Sequence, residues 1–321
     1  MIRLAGSLKT GTRRSSASTF VPAHISGFFQ PCDAAAPERM GSRNGGPCLD
    51  LGVVTKVGVE ISNRTSLSVF INGRPAPEAR TTLAAARQIL GLVPGSFKVR
   101  VDHLCQIPIG SGYGASGAGA LGTAISLAEA LGLRVPRDRL VTAAHVAEVL
   151  CYTGLGDVGA QAFGGLVIGL EPGAPPYGKW RRIPVPRGVR VICATLGPIP
   201  SKKFLSDGDF RRRASEIGSL ALKRVLKQPD IRGFVAASKA FAENLGLLDE
   251  ELLELVNLAE KAGAIGASQV MIGRSVFALA TGKKVEAVKK AFLEVLKPEA
   301  LMVAQIYQGA RSPRSGSVGR G

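Results

Sequence analysis

The stretch from Pro108 to Gly122 constrains this chain more than any other. It packs Gly110, Gly112, Gly114, Gly117 and Gly119 together with Ser111 and Ser116. Residues 97–105 before it alternate like a strand, and residues 118–131 after it are rich in Ala and Leu and read as a helix. A glycine loop between a strand and a helix start can turn backbone N–H groups toward a phosphate, and the helix N-terminus adds positive potential. Glycine is needed because a Cβ would block the approach of backbone to ligand. A loop that only connects two elements rarely needs so many.

Gly112, Gly114 and Gly117 match the dinucleotide-binding spacing. In that fold the helix returns at once to a parallel strand carrying an acidic residue for the ribose. Here a second helix is predicted over 136–151, and the acid at the right distance, Asp138, falls in its first turn. The order helix, helix, strand argues against that unit. No Gly-Lys-Ser/Thr ending follows, so a Walker loop is excluded as well.

Along the rest of the chain, residues 1–18 are expected to be a disordered basic extension and 309–321 a disordered tail. Residues 32–46 read as a loop, with strands at 49–61 and 66–72 and a turn at Asn72 and Gly73. Helices are predicted over 81–92, 209–227, 231–245, 249–261 and 285–296, and strands over 166–170, 189–196, 275–280 and 302–307. Glycine-rich turns are expected at 154–165 and 263–268. A Pro/Gly-rich run places a domain boundary near Gly178, giving domains 19–178 and 179–308.

With 321 residues, 45% of them hydrophobic, the chain is expected to form two globular domains. No apolar run approaches the roughly 18 residues that would suggest a membrane span. The basic start lacks an apolar core and does not read as a secretory signal. Five dispersed cysteines without a C-x-x-C pair indicate neither a disulfide framework nor a zinc site, so reduced thiols and a cytoplasmic location are expected. The net charge of +17 raises nucleic acid as a partner, but seven of those cations sit in the two tails, leaving +10 for the body. Aromatic residues are only 5% and do not interleave with a basic stripe. Nucleic acid is therefore not the expected partner.

Three further residues bring chemistry to the loop. Phosphoryl transfer needs a cradle for the phosphates, a cation held by few protein oxygens, and an acid/base beside the acceptor hydroxyl. Ser116 in the loop, Glu148 on the helix 136–151 and Asp157 in a glycine turn could supply those parts. Read singly, Ser116 could be a helix cap, Glu148 a solvated helix residue and Asp157 a turn former. Read together, they fit one reaction.

Pro108, Gly112, Gly114, Ser116, Gly117 and Ala118 stand in a pattern that resembles the phosphate loop of the GHMP kinases, the galacto-, homoserine, mevalonate and phosphomevalonate kinases. That family usually has two consecutive serines, and Ala115 stands here for the first. His145 and Glu148, followed by Asp157 and by Gly164 and Gly165, continue the resemblance. Segments 21–29, 41–46, 51–55, 110–121, 160–167 and 171–178 are similar to the archaeal pantoate kinases, and together the resemblance covers roughly residues 19–308.

The resemblance implies an α+β GHMP kinase fold, in which an N-terminal domain like domain 2 of ribosomal protein S5 precedes a ferredoxin-like domain. It implies ATP-dependent phosphorylation of (R)-pantoate to 4-phosphopantoate on the way to coenzyme A, with ATP as co-substrate and Mg²⁺. By the same resemblance Asp157, Ser116 and Glu148 are catalytic, Ser116 and Glu148 hold the metal, and Pro108, Gly110, Ser111, Gly112, Gly114, Ala115, Ser116, Gly117, Ala118 and Gly119 bind the nucleotide, with 263–268 closing its other side. His24, Ser42, Arg43 and His145 become candidates for the pantoate and phosphate surroundings, Arg43 as a sensible partner for a carboxylate. Read alone, His24 and His145 could equally be core or helix histidines. A homodimer is expected by resemblance alone. Another GHMP acceptor, of homoserine or mevalonate type, and a non-catalytic basic nucleotide- or nucleic-acid-binding protein remain the alternatives. Two positions depart from the family: Ala23, where Gly is usual, and Gly169, where a basic residue is expected. The role of the latter would pass to Arg181 or Arg182.

Overall fold

The computed structural model describes residues 14–199 and 204–309. Its first sheet is built on one long strand. β1 (Arg14–His24) and β2 (Phe28–Cys32) both pair antiparallel with β3 (Gly41–Ile61). β4 (Ser66–Ile71) and β5 (Arg74–Pro75) follow, then helix α1 (Arg80–Leu90) and β6 (Phe97–Cys105). Helices α2 (Ala115–Ala130), α3 (Arg137–Cys151) and α4 (Asp157–Phe163) precede β7 (Leu166–Glu171) and β8 (Lys179–Ile183). The sheet runs β5-β4-β6-β3-β7-β8, with β1 and β2 on β3 outside that path.

Residues 14–18, expected to be disordered, form the first half of β1 and pair with 56–60 of β3. Their burial alternates from residue to residue, as on a half-covered sheet face. Residues 1–13 and 310–321 lie outside the described residues.

The 32–46 loop is corrected more substantially, because Gly41 to Gly46 open the 21-residue strand β3. These glycines permit close approach rather than turning the chain. A Cβ on Gly46 would sit 1.5 Å from the Ile25 carbonyl oxygen, and one on Gly52 2.1 Å from that of Val21.

The second sheet consists of β9 (Val189–Gly197), β10 (Gly266–Gln269), β11 (Arg274–Thr281) and β12 (Leu301–Gln305) in the order β10-β11-β9-β12, all antiparallel. Between β9 and β10 come α5 (Gly208–Lys227), α6 (Ile231–Leu245) and α7 (Glu250–Lys261), and α8 (Lys283–Leu293) lies between β11 and β12. This is the ferredoxin-like strand order. Each of α5, α6 and α7 starts on an Asp whose carboxylate accepts from a backbone N–H of the first turn: Asp207, Asp230 and Asp249. β8 pairs with β7, so the chain leaves the first sheet after Ile183 rather than at Gly178.

The middle of strand β9, Val191 to Ala194, is buried on both faces and is an unbroken apolar run. Ile192 and Ala194 join the core beneath α7 and α8. Val191 and Cys193 join a second core that continues through Phe277 and Phe234 to Phe28, Leu49 and Ile168 of the first sheet. A further core lies between α1–α3 and the strands β3 and β6.

Candidate active site

The glycine loop leads into α2 through three left-handed residues, Gly110, Gly112 and Gly114, with φ of +77°, +91° and +66°. Side chains rarely adopt that conformation, so glycine is required at these positions. No side chain caps α2 and its first turn holds no acid. The first intrahelical bond runs from the Ala118 N–H to the Gly114 carbonyl, leaving the preceding N–H groups for a ligand.

Gly110, Gly112, Gly114, Ala115 and Ser116 line a cleft of about 350 Å³. The other predicted loop residues do not line it. Pro108 precedes the turn. Ser111 is buried with its carbonyl accepting from Ser275 Oγ of β11 at 3.1 Å. Gly117, Ala118 and Gly119 lie on helix faces turned inward. Ala118 is fully buried, and a Cβ on Gly119 would meet the His103 ring at 3.3 Å.

Ser116, Glu148 and Asp157 do come together. Ser116 Oγ donates to Glu148 Oε1 at 2.5 Å, and Thr153 Oγ1 donates to the same oxygen at 3.1 Å. Glu148 is 1% exposed, and its Oε2 has no partner. Burial first, and the charge of Asp157 second, push its carboxyl up to about 7, although both hydroxyls oppose the shift. A buried carboxylate with one orphaned oxygen beside a hydroxyl fits a hard divalent cation. Among the described residues no group of three or more His, Cys, Asp or Glu side chains gathers at one point. Two protein oxygens suit an ion that keeps waters and phosphate oxygens as its other ligands.

Asp157 opens the short helix α4 and keeps about a quarter of its side chain exposed in the cleft wall. A Cβ on Gly114 would lie 3.3 Å from its carboxyl carbon, so the loop and this carboxylate are in contact range.

Across from them the wall is neutral and polar. Ser42 and Asn44 face the cleft from β3, Ser26 joins them, and Asn44 Nδ2 donates to Ser26 Oγ at 3.2 Å. Gly156 fits closely here, since its Cβ would sit 2.4 Å from Ser42 Oγ.

The remaining predicted substrate residues lie elsewhere. Arg43 stands between Ser42 and Asn44 on β3 and so points to the opposite face, toward Glu171 at 3.7 Å and Gln30 Oε1 at 3.4 Å. His145 shares a helix face with Glu148 but is buried, with Nε2 2.8 Å from the Met40 carbonyl oxygen, and burial holds its pKa below the usual value. His24 is fully buried behind Asp157. Arg182 is tied to the Gly164 and Phe163 carbonyls, and Arg181 lies on β8 outside the cleft. Among the described residues the cleft wall holds no lysine or arginine. Gly169 instead gives space to Asn44, whose Oδ1 would be 2.7 Å from a Cβ there.

The segment 263–268 does not close the cleft. Gly266–Gln269 is strand β10, and Met271 and Ile272 just beyond it line the wall. Ser26 and Asn44 escape the sequence reading, and only their polarity beside Ser42 could have marked them.

Residues 79–165 match the model of the GHMP kinases N terminal domain. The chain is 33% identical to a pantoate kinase of Thermococcus kodakarensis over 90% of its own length and 95% of that protein. It is 31% identical to a pantoate kinase of Methanocaldococcus jannaschii over 83% and 94%. A solved structure described as a phosphotransferase related to the CoA biosynthesis pathway superposes with a TM-score of 0.80 and 32% identity, covering 92% of this chain and 97% of that one. The chain belongs to the GHMP kinase family. It is a phosphotransferase, with ATP as the co-substrate the family implies, and the relatives just described place it beside the pantoate kinases within that family.

Proposed function

We propose that this chain phosphorylates the primary hydroxyl of (R)-pantoate with ATP, giving 4-phosphopantoate for coenzyme A formation. The observation that carries the reading is the meeting, at one cleft, of the open α2 N-terminus, Ser116 with Glu148 bonded behind it, and the partly exposed carboxylate of Asp157. Identity to two pantoate kinases at 31–33% supports the acceptor.

The N–H groups at 114–116 take the phosphates of ATP. Mg²⁺, held by Ser116 and Glu148, would neutralise charge on the β- and γ-phosphates. The acceptor oxygen bonds to the γ-phosphorus, the bond from that phosphorus to ADP breaks, and the hydroxyl proton passes to Asp157. Ser26, Ser42 and Asn44 receive the acceptor's carboxylate through hydroxyl and amide donors. A homodimer in the cytoplasm belongs to the same reading, and sedimentation of the purified chain tests the dimer.

ADP release measured with ATP, Mg²⁺ and pantoate, beside homoserine and mevalonate, is the direct test. Turnover restricted to pantoate supports the reading. Turnover restricted to another alcohol moves the chain to a different acceptor. Salt-sensitive DNA binding by the body without its tails, and no turnover, would favour a nucleic-acid partner instead.

A further inference from the structure

Strand β1 ends on His24, whose two polar groups reach two different parts of the cleft. Its backbone N–H donates to the Tyr113 carbonyl in the glycine loop at 3.1 Å. Its ring nitrogen Nδ1 lies 2.7 Å from Asp157 Oδ1. One residue therefore ties the strand that backs the site both to the phosphate loop and to the carboxylate beside the acceptor. The ring is 0% exposed and does not line the cleft, so it cannot touch a substrate.

The other ring nitrogen, Nε2, is buried without a partner. An imidazolium would carry an N–H there with nothing to accept it, which is costly in a buried setting. The neutral ring with its proton on Nδ1 avoids that cost and donates to the carboxylate. The residue opposite His24 in register, Cys48, adds no charge, because burial pushes its thiol far above the ordinary value. Among the described residues, Glu148 on α3 faces Asp157 with a second carboxyl group, and Arg182 on β8 acts on Cys48 from its own side.

We propose that His24 is the positioning residue for Asp157: a neutral imidazole whose Nδ1–H holds one carboxylate oxygen and thereby aims the other at the acceptor hydroxyl. The logic is that of a hydrogen-bonded partner fixing the orientation of an acid/base group. It rests on the reading of Asp157 as the proton acceptor. As the acceptor oxygen bonds to the γ-phosphorus and the bond to ADP breaks, the hydroxyl proton moves to the second oxygen of Asp157. His24 keeps its own proton throughout.

The test uses the full chain with ATP, Mg²⁺ and pantoate, comparing His24→Leu, His24→Asn, Asp157→Asn and the double variant His24→Leu/Asp157→Asn. His24→Leu is expected to lower kcat by about 10²-fold, the scale of acid–base assistance, with both KM values nearly unchanged. In His24→Asn the side-chain amide nitrogen falls where Nδ1 was, and most of that loss should be recovered. With Asp157→Asn already present, His24→Leu should add less than about a twofold further loss, because the two residues act as one unit. An undiminished kcat in His24→Leu, or a full further loss in the double variant, overturns the proposal.

Nitrogen NMR of the histidine-labelled, unaltered chain reads the same claim without activity or mutation. A protonated Nδ1 and a bare Nε2 support it, and the reverse tautomer overturns it. If the unaltered chain ignores pantoate, the acceptor assignment fails on its own, while this spectrum still decides the role of His24.

Discussion

Asp157 and two neighbouring glycines carry the sharpest expectations at the scale of single residues. Asp157→Asn removes the proton acceptor but not the cradle, so kcat should fall by about 10²- to 10⁴-fold while ATP affinity holds. Steady-state kinetics with a separate nucleotide-binding titration separates the two quantities. Gly154→Ala would place a methyl 2.2 Å from Glu148 Oε2, the oxygen left free for a cation. The displaced carboxylate should raise the Mg²⁺ concentration needed for half-maximal activity at least several-fold, which a metal titration reads. Gly169→Ala would press on Asn44 Oδ1 at 2.7 Å, and the expected effect is a higher KM for the acceptor with that for ATP unaltered. That Ser116, Glu148 and Asp157 lie near one another was legible only from the three read together and from the motif they resemble, since each alone is common in caps, helix faces and turns. Arg43 and His145 were misplaced for a geometric reason. A residue list records what is near a motif, whereas strand parity and helix depth decide which side chains reach it.

Among the elements, the packing of α1 and α2 on β3 and β6 encloses a second histidine. His103 of β6 is bonded at Nδ1 to Thr55 Oγ1 at 2.9 Å and at Nε2 to Thr82 Oγ1 at 3.0 Å. Burial pushes it down to about 4, against a modest opposing influence from Asp102. The unfolded chain takes up a proton near pH 6.5 that the folded chain refuses until about 4. Stability is therefore lost as the pH falls through that window, up to about 3 kcal/mol from this residue alone. Calorimetry between pH 7 and 4 should show the melting temperature dropping with acidity, and His103→Gln should flatten the drop. The helices and most strands of this layer were legible, since their apolar residues, Pro136 before α3 and the turn at Asn72 and Gly73 mark them locally. The opening of β3, residues 41–48, was not, because its glycines answer to β1 and β2 lying close against it, a contact that no local window contains. α4 was hidden for a related reason, since seven residues are too short to show a helical period.

For the whole molecule, the decisive fact is a core that does not stop at the domain boundary. Phe28, Leu49 and Ile168 from the first sheet share one cluster with Val191, Phe234 and Phe277 from the second part. Each such side chain contributes roughly 1.5–3 kcal/mol by leaving water. The two parts should therefore unfold together, giving a single calorimetric transition whose heat matches its van't Hoff value. A chain ending after Ile183 would expose its share of that cluster, and its expected behaviour is aggregation or a lack of sharp melting. Strand β3 adds a stricter condition. Ser42 and Asn44 look into the cleft, and Arg43 looks away, only because side chains alternate along it. A deletion or insertion of one residue in the later part of β3 that shifted 41–46 would swap the neutral wall for a guanidinium while leaving composition almost untouched. Changes of length in this strand are thus tolerable in even steps only, a rule of arithmetic imposed on the gene by the pleat.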